Sequence, residues 1–231
     1  EPQGPVYMCY DVAFQEDELS ADVALPDPAR GGQHTRLAME RAALEATVRY
    51  LLAAKQPVII ADHVGGHQER VETLMELAEF LAAPVIDLNG RFNFPNTHPL
   101  FTLDRKILRE ADLVLALDVR DLNGCLVEVD SDDRPTPRKL IPGDCRVIAI
   151  GVDDLETSSW AQNSQRFEEA DLSILADTYT ALPEILAACR AESSLASPDS
   201  AVADRAARLE ILRENHRAQR ARWREEARKN W

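Results

Sequence analysis

Two adjacent glycines, Gly65 and Gly66, stand in the segment Asp62 to His67 and could bring backbone amides close to a phosphate. The segment directly follows the apolar run Val58 to Ala61, which predicts a buried strand that ends in a glycine loop. A loop of this kind favours a nucleotide ligand. The alternative is an ordinary tight turn without a ligand, because two glycines after a strand are a common turn.

Other side chains would complete a nucleotide site if their loops meet at the same edge of a sheet. Arg91 or Arg120 could pair with a pyrophosphate, and Asn89 opens the loop that holds Arg91. Asp153 and Asp177 follow predicted strands and could accept hydrogen bonds from ribose or adenine groups. The chain has no G-x-G-x-x-G and no Walker motif, so a structural spacer is the stronger interpretation of this edge.

Metal binding is weakly indicated by the histidines His63 and His67, which flank the two glycines. Imidazoles four residues apart can share a metal ion, but a loop does not fix their geometry as a helix would. The acidic stretch Asp130 to Asp133 does not fit a calcium-binding EF-hand loop, since Pro135 stands where that loop needs glycine. We therefore expect no metal site.

No catalytic residue is expected in this chain. The sequence has no G-x-S-x-G, and no serine or cysteine is evidently paired with a histidine. The closest two of the four cysteines, Cys125 and Cys145, are twenty residues apart, so there is no C-x-x-C motif. We interpret the cysteines as reduced, mostly buried thiols of a cytoplasmic protein.

Composition excludes two further classes of partner. The 231 residues carry 26 basic and 40 acidic side chains and a formal net charge of −14, which argues against nucleic-acid binding. No apolar run is long enough to cross a membrane, and we expect no signal peptide. The first residue is Glu1 rather than methionine, so we expect a piece of a longer protein.

The elements that would position these residues alternate between strands and helices. Periodicity predicts a helix that begins near Thr35, a short helix from Asp104 to Glu110, and a helix whose first turn holds Pro183. A further helix is predicted after the glycine loop, and it buries Val71, Leu74, Met75, Ala78 and Leu81. The predicted strands are continuous apolar runs at 58–61, 84–88, 113–117, 146–150 and 172–175. Such runs indicate an α/β fold with a doubly wound, mainly parallel, Rossmann-like sheet and helices on both faces.

The two ends of the chain differ from this pattern. Residues 1–14 are predicted to be a terminal strand of a preceding domain, 15–34 a linker and 35–191 the central α/β domain. Residues 192–231 are predicted to be a linker and a C-terminal helix, in which arginines alternate with glutamates from Asp204 onward. We interpret that helix as solvated, with internal ion pairs; an anion- or nucleic-acid-binding helix is the alternative.

Six phrases in matching order and spacing resemble thiamine-diphosphate-dependent enzymes of the acetolactate synthase and benzoylformate decarboxylase type. The most specific is Phe94-Pro-Asn-Thr-His-Pro-Leu100, which resembles the loop after the second strand of their central domain. The others resemble the closing strand of the first domain and further central-domain elements, and they span 4–12, 55–61, 77–85, 111–117 and 171–186.

The resemblance implies that the chemistry belongs to a larger parent enzyme, a lyase or transferase that decarboxylates or joins 2-oxo acids. In this family a first domain supplies a glutamate that activates thiamine, and a third domain holds the diphosphate through magnesium and a Gly-Asp-Gly motif. Here the only Gly-Asp pair, Gly143-Asp144, is followed by Cys145. We therefore expect no thiamine diphosphate and no catalysis in this chain alone. Its expected partners are the first and third domains and further copies in a homodimer or homotetramer.

The family's central domain binds FAD, binds ADP or serves as a spacer. Members that bind FAD carry a glycine-rich segment shortly after the His-Pro-Leu loop, whereas residues 101–107 contain no glycine here. This departure argues against a flavin. The competing hypothesis is a free-standing, Rossmann-type protein that binds NAD, FAD or ADP. A domain taken from a larger enzyme should also expose apolar surface at the strand around Val6 and on the tail helix.

Overall fold

A computed structural model describes residues 7–16, 18, 24–25, 27–30, 35–88, 92–129, 137–152, 166–195 and 199–229. The chain divides into two compact units, residues 1–36 and residues 37–231. Asn89, Arg91 and Asp153 of the predicted nucleotide site lie outside the described residues.

The first unit contains helix α1 (Val12–Glu16) and a single 3₁₀ turn (Pro28–Arg30) among its described residues. Tyr7 to Asp11 form no strand among the described residues, and their assignment to the closing strand of a preceding domain stays a prediction. A strand needs a neighbour for its backbone hydrogen bonds, and the described residues offer none here. Exposed apolar side chains mark the segment, as predicted, and they belong to Tyr7, Met8, Tyr10 and Val12.

The second unit is built on a parallel sheet. Its described strands are β1 (Pro57–Ala61), β2 (Val85–Asp87), β3 (Phe101–Thr102), β4 (Leu113–Leu117), β5 (Val127–Val129), β6 (Pro137–Lys139), β7 (Arg146–Gly151) and β8 (Leu172–Leu175). Six of them pair in parallel in the order β3-β2-β1-β4-β7-β8, while β5 and β6 form a separate antiparallel ribbon. Without the ribbon this is the 3-2-1-4-5-6 order of a Rossmann fold, which confirms the predicted fold class.

Helices cover both faces of the sheet. They are α2 (Arg41–Ala53), α3 (Gln68–Leu81), α4 (Leu122–Leu126) and α5 (Thr178–Leu195), with a 3₁₀ helix at Arg105–Glu110. Alternate residues of β1 point to opposite faces: Ile59 packs in the cluster with α2, α3 and α5, and Ile60 packs in the cluster with α4 and the 3₁₀ helix.

Two local predictions need correction. Helix α2 begins at Arg41 rather than near Thr35, so Leu37 lies outside the helix and its side chain is 49% exposed. The carbonyl group of Leu37 instead accepts a hydrogen bond from the backbone N–H of Asp177. Pro183 lies inside α5, beyond its first turn, because the helix begins at Thr178.

The C-terminal helix α6 (Asp199–Lys229) is only partly the solvated helix that the sequence predicts. Ion pairs such as Glu225–Lys229, at 2.9 Å, lie within it as expected. Its first half, however, packs on the domain: Leu209 and Leu212 contact the larger core cluster, and Arg208 donates to the carbonyl groups of Leu81 and Ala82 at the end of α3. Among the described helices, none combines the length and apolar character of a membrane span.

Candidate functional site

The order in which successive strands join the sheet reverses between β1 and β4. Strands β2 and β3 continue the sheet on one side of β1, and β4, β7 and β8 continue it on the other. The loops after β1 and β4 therefore leave in opposite directions and border a crevice, which is where open α/β sheets bind ligands. The segments Asp62 to His67 and Asp118 to Asp121, which follow β1 and β4, lie at this crevice.

Gly65 is required by packing rather than by an open ligand site. A Cβ atom at this position would lie 1.7 Å from the carbonyl oxygen of Phe92. The N–H of Gly65 donates to Oδ1 of Asn93 at 3.0 Å, and the N–H of Gly66 donates to the carbonyl oxygen of Val64 at 2.8 Å. Both amides predicted to face a phosphate thus have acceptors within the protein.

Asn93 holds the loops after β1 and β2 together. Its Nδ2 donates to Oδ1 of Asp87 at 2.7 Å and to the carbonyl oxygen of Ala61 at 3.4 Å. Oδ2 of Asp87 accepts from the backbone N–H groups of Asn93 and Phe94 at 3.3 and 3.1 Å. Because both side chains are almost fully buried, these bonds fix the shape of one wall of the crevice.

Arg120, in the loop after β4, contacts Asp62 in the loop after the neighbouring strand β1. Its Nε and its backbone N–H lie 3.4 and 3.5 Å from Oδ2 of Asp62. His63 places Nδ1 only 3.1 Å from the same oxygen, but the angles are too poor for a hydrogen bond. Roughly half of the Arg120 side chain remains exposed, so its guanidinium can also reach a ligand in the crevice.

Asp177 forms a buried ion pair with α3. Its Oδ1 accepts from Nη2 of Arg70 at 3.0 Å and from the backbone N–H of Tyr179 at 2.9 Å. The guanidinium of Arg70 also lies over the ring of Tyr179, 5.1 Å from its centroid. Nε of Arg70 is buried without a hydrogen-bond partner among the described residues. Asp177 therefore connects the start of α5 to α3, the helix that follows the glycine loop.

Asp118 has the left-handed backbone conformation, with φ of 49°. Aspartate tolerates this region better than most residues. The backbone N–H of Asp118 donates to the carbonyl oxygen of Ile150, and Oδ2 accepts from Oγ1 of Thr178 at 2.5 Å. Asp118 thereby links the carboxyl ends of β4 and β7 to the start of α5.

The four predicted site residues that the structure describes are thus brought to one edge of the sheet, in two contact groups. Gly65, Gly66 and Arg120 border the crevice between β1 and β4, whereas Asp177 stands between β8 and α5 and contacts Arg70 of α3. Sequence reasoning missed the supporting residues Asp87, Asn93, Asp118 and Thr178. One signal could have indicated the aspartates, because Asp62, Asp87, Asp118 and Asp177 each stand at or shortly after the end of a parallel strand.

A cavity of about 290 Å³ lies beside the crevice, between the ends of β4, β7 and β8. This volume is near the lower end of small-molecule sites. Its walls include three acidic residues, Asp118, Glu168 and Glu169. Glu168 is paired with Lys139 at 2.6 Å. The described lining residues include no lysine or arginine, so the remaining carboxylates disfavour a phosphate.

The described residues do not fit thiamine diphosphate. The diphosphate is held through a metal ion in the resembling enzymes, yet no three described histidine, cysteine, aspartate or glutamate side chains lie together as a metal site. A Cβ atom added to Gly143 would meet no heavy atom within 4 Å, so no close approach to its backbone requires a glycine. The Gly143-Asp144 pair also precedes β7, at the sheet edge opposite the crevice.

Comparison with known proteins gives one family. Residues 44–185, more than half of the chain, match the family model for the thiamine pyrophosphate enzyme, central domain. The sulfoacetaldehyde acetyltransferase of Castellaniella defragrans is 26% identical over 198 residues, which cover 75% of this chain and 31% of that enzyme. The same enzyme of Alcaligenes xylosoxydans xylosoxydans is 28% identical over 191 residues, 73% of this chain and 30% of that one. The chain therefore spans about a third of these curated relatives.

A solved structure agrees with the fold. Benzoylformate decarboxylase from Polynucleobacter necessarius superposes with a TM-score of 0.53 at 20% identity, over 74% of this chain and 30% of that chain. At this identity the likeness concerns the fold alone.

Proposed function

We propose, because this chain belongs to the family of thiamine pyrophosphate enzyme central domains, that it is the non-catalytic central domain of a larger thiamine-diphosphate-dependent enzyme. The observation that carries the proposal is the family match over residues 44–185, together with the coverage of about a third of each curated relative. In this role the domain holds the first and third domains at a fixed distance. A sheet covered on both faces suits a rigid spacer.

The proposed parent acts on 2-oxo acids as a lyase or transferase in the cytoplasm, assembled as a homodimer or homotetramer. It breaks the bond between the carbonyl carbon and the carboxylate, releasing carbon dioxide, and the remaining acyl group is protonated or joined to a second carbonyl compound. Transfer is supported by the curated relatives, which are named acetyltransferases of sulfoacetaldehyde. Thiamine diphosphate and magnesium belong to the other domains, since the described residues here do not fit them.

A second candidate function is nucleotide binding at the crevice. It is favoured by the change of direction between β1 and β4 and by Arg120, whose half-exposed guanidinium lies at that crevice. The engaged amides of Gly65 and Gly66 weigh against a phosphate there. FAD, ADP and NAD are the ligands to test, and the missing glycines after Leu100 make FAD the least favoured.

Calorimetry with thiamine diphosphate tests the first candidate function. Thiamine diphosphate with magnesium should give no binding heat with the 231-residue chain and clear binding with the product of its complete gene, which should also decarboxylate a 2-oxo acid such as pyruvate. A complete gene product that does not bind thiamine diphosphate would overturn the proposal.

The nucleotide titrations use the 231-residue chain and two variants. Binding of ADP or NAD that is weakened by Arg120→Met, but not by the distant Gly143→Ala, would establish the second function. The spacer role predicts no binding of FAD, ADP or NAD by either variant or by the original chain.

A further inference from the structure

One face of helix α6 lies against the rest of the second unit for most of the length of the helix. The residues of this face are spaced by three, one, three, four and seven positions, which is the periodicity of one side of an α-helix. At 1.5 Å per residue the face is about 27 Å long. We call it the strap, and it consists of Arg205, Arg208, Leu209, Leu212, His216 and Trp223.

The strap supplies positive charge to the ends of two helices that lack it. Neither α2 nor α3 has a basic residue in its last turn, although the carbonyl groups there carry partial negative charge. Arg205 donates from Nη2 to the carbonyl oxygen of Leu52 at 3.4 Å, at the end of α2. Arg208 donates to the carbonyl oxygens of Leu81 and Ala82, at the end of α3. The first half of α6 therefore stabilises both helix ends.

The outer part of the strap lies against the segment 93–101, which follows β2. His216 is 8% exposed and lies against the carbonyl groups of Thr97 and Phe101. Trp223 borders a hollow of about 240 Å³ together with Phe94 of the same segment. Two side chains of α6 therefore hold this segment from one side.

The segment 93–101 also forms one wall of the crevice between β1 and β4. Oδ1 of Asn93 accepts from the backbone N–H of Gly65 at 3.0 Å. Nδ2 of Asn93 donates to Oδ1 of Asp87 at 2.7 Å, and the N–H of Phe94 donates to Oδ2 of Asp87 at 3.1 Å. Since Phe94 also borders the hollow beside Trp223, a continuous series of contacts leads from the strap to the glycine loop.

We propose that the strap sets the shape of the crevice. While α6 lies against the domain, the segment 93–101 is held where Asn93 can bind Gly65. When the outer part of α6 leaves, the segment loses its contacts with His216 and Trp223. The bond between Asn93 and Gly65 then opens more often, and this wall of the crevice moves. A partner that binds only the detached α6 shifts the domain toward the open state.

The proposal applies to the 231-residue chain alone and rests neither on the parent enzyme's reaction nor on a nucleotide in the crevice. The competing explanation is that α6 supports the fold as a whole, so that loss of the strap loosens every part of the sheet equally. Amide hydrogen exchange separates the two explanations, because it reports the opening of single hydrogen bonds.

The first test is hydrogen exchange of the 231-residue chain, followed by NMR. In the double variant His216→Ser with Trp223→Ser, we expect the amide of Gly65 to exchange about tenfold faster, because its acceptor is held less firmly. The amide of Leu115, in the centre of the sheet, should exchange as in the original chain.

The matched control is the double variant Arg222→Ser with Arg224→Ser, which changes exposed residues of the same helix. The amide of Gly65 should then exchange as in the original chain. Unchanged exchange of Gly65 in the strap variant would overturn the proposal. An equal rise at Gly65 and Leu115 would overturn it as well, because that pattern means a general loss of stability.

The second test uses the reciprocity of coupled equilibria, since a change in the crevice wall must also loosen the strap. Gly65→Ala displaces the wall, because its methyl group meets the carbonyl group of Phe92. Trp223 should then become more accessible to acrylamide, measured by fluorescence quenching in a chain whose other two tryptophans are replaced by phenylalanine.

Gly143→Ala is the control for the quenching experiment, because no heavy atom lies within 4 Å of its added carbon. Quenching of Trp223 should be the same in this variant as in the original chain. Equal quenching in Gly65→Ala and Gly143→Ala contradicts the coupling between the strap and the crevice.

Discussion

Gly65 packs against the backbone of Phe92 so closely that a Cβ atom on the glycine would lie 1.7 Å from the Phe92 carbonyl oxygen. The contact explains why a glycine follows β1 without any ligand. The loop after β2 packs against the loop after β1, and Asn93 joins them because it accepts a hydrogen bond from Gly65 and donates one to Asp87. Gly65, the first glycine of the pair that the sequence offers as a phosphate loop, therefore has a structural reason to be there.

Gly65→Ala is expected to destabilise the domain by about 1–3 kcal/mol, because the methyl group must displace backbone rather than a flexible side chain. Urea unfolding measures the change. Gly143→Ala is the matched control: nothing lies within 4 Å of the added carbon, and its effect should stay within about 0.5 kcal/mol. Equal effects of the two substitutions would contradict the close packing of Gly65.

Arg208→Met is expected to destabilise the domain by roughly 1–2 kcal/mol. The substitution keeps the apolar stem but removes the donors to Leu81 and Ala82 at the end of α3. Burial lowers the pKa of the Arg208 guanidinium. Hydrogen bonds to the nearby carbonyl groups replace those that the buried guanidinium would make to water. Arg222→Met, on the exposed part of the same helix, should give no measurable change in urea unfolding. A packed first half of α6 is ruled out if both variants unfold like the original chain.

The periodic apolar runs made most of this fold predictable. Strands such as Leu113–Leu117 are apolar at every position because both faces of the sheet are covered. Strand β3 has only two residues, Phe101 and Thr102, so it carries no periodic signal. The ribbon strand β6 begins with Pro137 and is exposed throughout, which hides it among turn residues.

Long-range contacts were beyond sequence reasoning at the candidate site and along α6. The segment that holds Asn93 looked like an ordinary loop, since nothing local indicates that its amide meets Asp87 and Gly65. Leu37 continues a helical apolar pattern, yet its carbonyl group is held by Asp177 outside any helix. The arginines of α6 are equally alike in sequence, and only the fold separates Arg208, which contacts α3, from the exposed arginines beyond it.

Thiol reactivity should distinguish one cysteine from the other three. Burial raises the pKa of Cys189 to about 12, and burial together with nearby aspartates raises the pKa of Cys145 to about 12. Cys125 is also buried, whereas Cys9 is exposed. A disulfide reagent at about pH 8 should therefore modify one thiol quickly in the native chain and all four in urea. Rapid reaction of two or more native thiols would contradict the burial.

The same shifts predict an alkaline loss of stability. A thiol with a raised pKa in the folded state favours folding fully below its ordinary pKa of 9.0, and that contribution is lost as pH rises toward about 12. The free energy of unfolding should accordingly fall above about pH 9. The free energy of unfolding of a Cys189→Ala variant should fall less steeply with pH, whatever its stability at neutral pH.

His216 should make the attachment of α6 sensitive to acid. Burial, foremost, lowers the pKa of its imidazole, as do the charges of Arg220 and His98, while the carbonyl groups of Phe101 and Thr97 act in the opposite direction. A base with a lowered pKa favours folding above its ordinary value of 6.5 and loses that contribution as pH falls below it.

The free energy of unfolding should therefore decrease below about pH 6.5, and less steeply in His216→Gln, which cannot take up the proton. Urea unfolding at a series of pH values gives both slopes. Identical slopes would show that His216 is not buried against the loop that holds Thr97 and Phe101.

The most direct test of the central claim is the intact mass of the native gene product, measured by denaturing mass spectrometry. If this chain is the central domain of a larger thiamine-diphosphate-dependent enzyme, that mass is more than twice the 25.8 kDa of the chain. A native mass near 25.8 kDa would contradict the account and would make the crevice between β1 and β4 the first place to look for a ligand.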